Sequence, residues 1–106
     1  MRYRVIITPV AESDLRTVYR YIRRQGAPQA ARAWLSGARK KIKTLADHPE
    51  RALLAAESSS FREPIRELFY GSGNRGTYRI LFVVVGDSVF VLQVRHGSRM
   101  PLEADD

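Results

Sequence analysis

Between Thr8 and Pro49 the chain carries two amphipathic helical patterns with almost nothing between them. Thr8 followed by Pro9 supplies a capping hydroxyl and a preset φ for a helix start. Leu15, Val18, Tyr19 and Ile22 then recur at the three- and four-residue spacing of one helical face. Gly26 stops this segment and Pro28 opens the next, in which Ala31, Trp34, Leu35, Ala38, Ile42 and Leu45 form a second apolar stripe. His48 before Pro49 ends it. Helices joined this tightly fold back on one another as an antiparallel hairpin, and a hairpin with one apolar side needs a second layer to cover it.

Strands supply that layer. Tyr3 to Thr8 is short and β-branched, and three further candidates follow the hairpin: Arg62 to Tyr70, Thr77 to Val85 and Val89 to His96. The last two are joined by Gly86-Asp87-Ser88, a tight-turn signal. The resulting order is β-α-α-β-β-β, an α+β fold with the helical hairpin packed on a largely antiparallel sheet. Residues 50 to 61, with Glu57-Ser58-Ser59-Ser60, read as a surface loop, and the acidic tail 101–106 as flexible. A chain of 106 residues is expected to form one domain spanning 1–106.

The longest unbroken apolar run, Ile80 to Val85, is far short of the roughly 20 residues a membrane span needs, and the polar opening has no secretory core. The expectation is a cytoplasmic protein with no membrane partner. There is no cysteine, which excludes disulfides, zinc–thiolate clusters and thiol catalysis, and two histidines offer little to a metal. No cofactor is expected. The formal net charge is +7, and from Arg16 to Lys43 there are nine cations with no aspartate or glutamate among them. Such an excess favours a polyanionic or acidic partner, although a solvated helical face gives the same pattern.

The stretch Val91 to Arg99 reads as a buried strand until it reaches Arg95, His96 and Arg99. With Glu63, Arg66 and Arg79, which also stand near strand ends, these residues would make a basic pocket holding one carboxylate and one imidazole, provided the ends converge. Metal-independent RNA cleavage needs that set: a base for the 2′-hydroxyl, an acid for the leaving oxygen and cations around the phosphorus. Glu63 suits the base, His96 the acid, and Arg66, Arg79 and Arg99 the phosphate. Gly71 to Gly76 matches G-x-G-x-x-G literally, but a strand rather than a helix follows, so it reads as a hairpin loop with Arg75 near a phosphate at its tip.

Taken together, TPVAESDLRTVYRYI, AARAWLSGARKKIKTLADHPE, IREL, GTYRILFVV and VFVLQVRHGSR, in this order, resemble the RelE/ParE superfamily of toxins from bacterial type II toxin–antitoxin modules, also called plasmid stabilisation proteins. The resemblance implies a growth-arresting toxin neutralised by a cognate antitoxin. RelE-like members cut messenger RNA on the ribosome as mRNA interferases; ParE-like members block DNA gyrase without nuclease chemistry. By resemblance to the nucleases, Glu63 takes the base position, Arg66 and Arg79 bind phosphate, and His96 lies near the acid. The chain ends MPLEADD where many such nucleases carry an aromatic, and a histidine–glycine pair after the last strand also occurs in non-nuclease relatives. The sequence reading favours ribosome-dependent endoribonuclease activity, with gyrase inhibition as the alternative and a non-toxic nucleic-acid-binding module as a remote third.

Overall fold

The computed structural model describes residues 2–71 and 76–97. Strand β1 (Arg4–Ile7) leads into α1 (Pro9–Arg24) and α2 (Pro28–Lys43). Short 3-10 turns at Thr44–Ala46 and Pro49–Arg51, strand β2 (Leu53–Leu54) and another 3-10 turn at Ala56–Ser60 follow. The chain then forms β3 (Arg66–Tyr70), β4 (Tyr78–Val85) and β5 (Ser88–His96). The sheet order is β1-β5-β4-β3-β2, with β1 parallel to β5 and the other pairs antiparallel. This is the expected α+β architecture, two helices on a five-stranded mixed sheet, with one strand the sequence did not announce.

Local chemistry explains the hairpin. The Thr8 hydroxyl oxygen accepts from the Ala11 N–H at 3.2 Å and donates to the Val91 carbonyl at 2.7 Å, so one side chain caps α1 and ties its start to β5. After α1, Gly26 takes φ +81°, the left-handed conformation that lets the chain reverse within three residues. β1 ends at Ile7 opposite Val91, and α1 covers the edge of β5 beyond it. There the Val94 N–H donates to the Asp14 carboxylate at 2.9 Å.

The sheet is buried on both faces. Toward the helices, Tyr78, Ile80, Phe82, Val89, Val91 and Val94 pack with Leu15, Ile22, Trp34, Ala38, Ile42 and Leu45. On the far face Leu81 and Val83 pack with Ala55 and Ile65, joined by Phe90 and Leu92. Much of the segment 50 to 61, expected to be a surface loop, is therefore part of a strap over residues 53–65 across the second face, pinned by Ala55 N–H to Ile65 C=O at 2.8 Å and Ile65 N–H to Ser58 Oγ at 3.0 Å. The second expected strand begins at Arg66 rather than Arg62, because Pro64 has no N–H to give a ladder and the strap turns there.

The register between β4 and β5 slips once: Leu81 faces Gln93 while Phe82 faces Val91, so Leu92 is the extra residue of a bulge. Strict alternation groups His96 with Val94 and Leu92. The bulge breaks that grouping, sending Leu92 to the far face and keeping Val94 on the helical one.

Candidate functional site

Arg79 enters the structure as part of an ionic core. It stands on β4, on the same face as Leu81 and Val83, and is 7% exposed. Its Nη1 and Nη2 donate to the two carboxylate oxygens of Glu57 at 3.0 and 2.6 Å, and its Nε donates to Glu67 Oε1 at 2.8 Å. Glu67 lies diagonally across the β3–β4 ladder, and Glu57 is carried in by the strap's 3-10 turn. The Glu57 side chain is 1% exposed, which leaves its carboxylate with Arg79 as its buried countercharge. Hydrogen bonding to Glu57, reinforced by Glu67, holds the guanidinium far above the ordinary arginine range against the opposing effect of burial. A phosphate reaching Arg79 would first have to displace a buried carboxylate from a bidentate pair.

His96 lies on the other face. It pairs across the ladder with Tyr78, and the two rings meet edge-on with centroids 5.0 Å apart. Tyr78 in turn meets Trp34 at 5.1 Å, and Trp34 meets Tyr70 at 5.8 Å, so the imidazole ends a row of four aromatic rings. Gly76 closes over it: a Cβ there would come within 2.9 Å of His96 Nε2.

The remaining expected site residues scatter. Glu63 is exposed on the strap ahead of β3. Arg66 holds the chain before β2, its Nη1 donating to the carbonyls of Ala52 at 2.8 Å and Glu50 at 3.2 Å. Arg95 faces Arg79 across the β4–β5 ladder and donates from Nη1 to Gln93 Oε1 at 3.3 Å, while its buried Nε finds no acceptor among the described residues. Arg75 and Arg99 lie outside the described residues. Arg79 and Arg95 thus share the far face and His96 the helical face, and the sheet separates them.

Glu57 and Glu67 are the charged residues that sequence reasoning did not connect to Arg79. A signal existed: an arginine alternating with Leu81 and Val83 in an apolar strand requires a carboxylate on the same face. On the hairpin, Glu12 is gripped by Arg39 through bonds of 3.0 and 2.7 Å. The Arg39 hydrogen bonds lower the Glu12 pKa below the ordinary glutamate value, overcoming a partial desolvation in the opposite sense.

Against known proteins, residues 5–101 match the family model described as ParE toxin of type II toxin-antitoxin system, parDE. No curated protein sequence matches the chain. Among solved structures, a chain of a chromosomal ParDE TA system from P. aeruginosa superposes with a TM-score of 0.70 at 18% identity, over 90% of this chain and 96% of that one. At that identity the likeness speaks to the fold.

Proposed function

Since the chain belongs to the ParE toxin family of type II toxin–antitoxin systems, we propose that it arrests growth by blocking DNA gyrase, without cutting RNA, and is held inactive by an acidic antitoxin segment. The observation that carries this reading is the placement of Arg79 and His96. An RNase of the kind the sequence suggests needs its phosphate-binding arginine and its acid on one side of one phosphate. Here the arginine's donors are engaged by Glu57 and Glu67 on one face of the sheet, and the imidazole packs against Tyr78 on the other. A toxin that works by occupying a protein target needs no such convergence. The net charge of +7 supports an acidic neutralising partner.

Two assays on the purified full-length chain test the reading. It is expected to inhibit gyrase-catalysed supercoiling at stoichiometric concentrations and to leave messenger RNA intact on programmed ribosomes. In cells, thymidine incorporation should fall before methionine incorporation within minutes of induction. Cleavage of ribosome-bound message, lost in Glu63→Gln or His96→Ala chains that still fold, would overturn the gyrase reading and restore the nuclease one.

A further inference from the structure

At about 100° per residue, Arg16, Arg20, Arg23 and Arg24 of α1 fall within a single arc of about 100°, and so do Arg32, Arg39, Lys40 and Lys43 of α2. Both arcs point away from Ala11, Leu15 and Ile22 and from Ala31, Trp34, Ala38 and Ile42, which form the buried sides of the two helices. Of the nine cations in this part of the sequence, Lys41 alone turns elsewhere. Glu12 is the acid on this surface, and Arg39 answers it with both its Nη atoms. The other seven cations are exposed, and none enters an ion pair among the described residues. Between the helices runs a shallow groove of about 480 Å³, floored by Tyr19 and Leu35 and rimmed by Arg32, Ser36, Lys40 and Lys43.

We infer that this outward face of the hairpin binds the phosphodiester backbone of duplex DNA, giving the toxin a direct hold on the nucleic acid that its target enzyme carries. The choice of DNA rests on the gyrase reading above; the phosphate chemistry does not. Five of these seven cations are arginines, whose guanidinium fork matches phosphate oxygens with two parallel donors. The run from Arg32 to Lys43 spans about 16 Å of helix, the axial rise of about five base pairs.

A protein partner fits this surface less well. Tyr19 and Leu35 are partly buried and turned onto the core, so the groove floor offers little apolar surface to anchor a second chain. The large apolar side chains left exposed lie mainly elsewhere: Leu53, Leu54, Phe61, Phe69 and Val85 belong to the sheet and its strap, and Val10 and Tyr21 to α1. The molecule therefore separates a cationic helical side from an apolar sheet side, and a protein partner finds its anchors on the second.

The test is fluorescence anisotropy of a labelled 20-base-pair duplex DNA of arbitrary sequence titrated with the full chain, with no gyrase present. Binding is expected to weaken linearly in log–log salt with a slope of about −4, as four or five phosphate contacts require. Arg32→Glu with Lys40→Glu should weaken binding at least about tenfold and flatten the slope by about two. Arg4→Glu with Arg62→Glu makes the same change in net charge at exposed positions off the hairpin and should stay within about threefold of the parent. Equal losses in the two double variants, or a slope near zero, would overturn the assignment to this face. Duplex RNA of the same sequence binding about tenfold more tightly would overturn DNA as the ligand, and so would displacement by polyglutamate at a lower charge concentration than unlabelled duplex. Gyrase inhibition is read separately, so failure of this contact and failure of the gyrase reading register in different experiments.

Discussion

Replacing Arg79 by alanine should cost this protein much of its stability. The substitution leaves the Glu57 carboxylate, 1% exposed, beneath the strap with its bidentate countercharge removed. Breaking a buried pair from one side typically costs about 3–5 kcal/mol, because the remaining charge must be protonated or hydrated. Domains of this size hold about 5–15 kcal/mol in total. With a urea dependence of about 1–3 kcal/mol per molar, the unfolding midpoint should fall by roughly 2 M. Removing both partners discriminates pairing from other roles. Arg79→Met with Glu57→Leu takes the two charges out together and should recover most of the loss, since Glu67, 15% exposed, can turn its carboxylate to water. If Arg79→Ala unfolds within about 1 kcal/mol of the parent, the ionic core does not hold the strap. If the double variant folds like the parent but no longer inhibits gyrase, the Arg79–Glu57 pair acts on the target as well as on the fold.

The Glu12–Arg39 pair should make a smaller and pH-dependent contribution. Its side chains are about one-third exposed, so solvent screening limits it to about 0.5–1 kcal/mol. Because the Glu12 pKa is lowered in the folded chain, this stability is present above the unfolded carboxylate range and is lost as pH falls through the lower folded value. The midpoint difference between the parent and Glu12→Gln should therefore be full at pH 7 and vanish between about pH 5 and pH 3; a difference growing toward acid would refute the sign. Gly37→Ala should destabilise by about 1–3 kcal/mol, because an added Cβ falls on the Tyr70 hydroxyl, which donates to the Trp34 carbonyl at 2.9 Å. Thermal melts check it, and Tyr70→Phe in the same chain should restore only part, since the ring's Cζ stays 3.0 Å from the new carbon. Asp14→Ala strands the Val94 N–H at the edge of β5 and should cost about 1–3 kcal/mol. Amide exchange at Val94 should accelerate beyond the global change; an unaltered relative protection would remove Asp14 from that edge.

The helices and the inner strands were legible because each obeys one local rule over many residues. Pro9 and Pro28 mark starts, Gly26 marks a reversal, and two apolar stripes at helical spacing need a sheet beneath them. β2 was not legible: it is two residues long, and Leu53–Leu54 pairs only because Arg66 and Glu67 arrive beside it. The strap failed for a related reason. Its apolar contacts, Ala55 and Ile65, stand ten residues apart with a run of serines between, so no periodic pattern announces that they meet over Leu81 and Val83.

The site residues show where local reading stops. Alternation placed Arg79 with Leu81 and Val83, and its bonds to Glu57 of the strap that packs over those two residues agree with that face. Which partners meet it there is a long-range matter: Glu57 comes from 22 positions away and Glu67 from 12. Whether Arg79 and His96 share a pocket depends on one further fact, the parity of their faces. Arg79 and Arg95 are cross-strand partners, as are Tyr78 and His96, so neighbouring pairs on the same two strands point to opposite sides of the sheet. A chain that carries an arginine, a histidine and a glutamate near its strand ends can therefore have the composition of a nuclease while its sheet keeps the arginine and the histidine apart. In this protein the parity converts a catalytic list into a buried ion pair on one side and an aromatic row on the other.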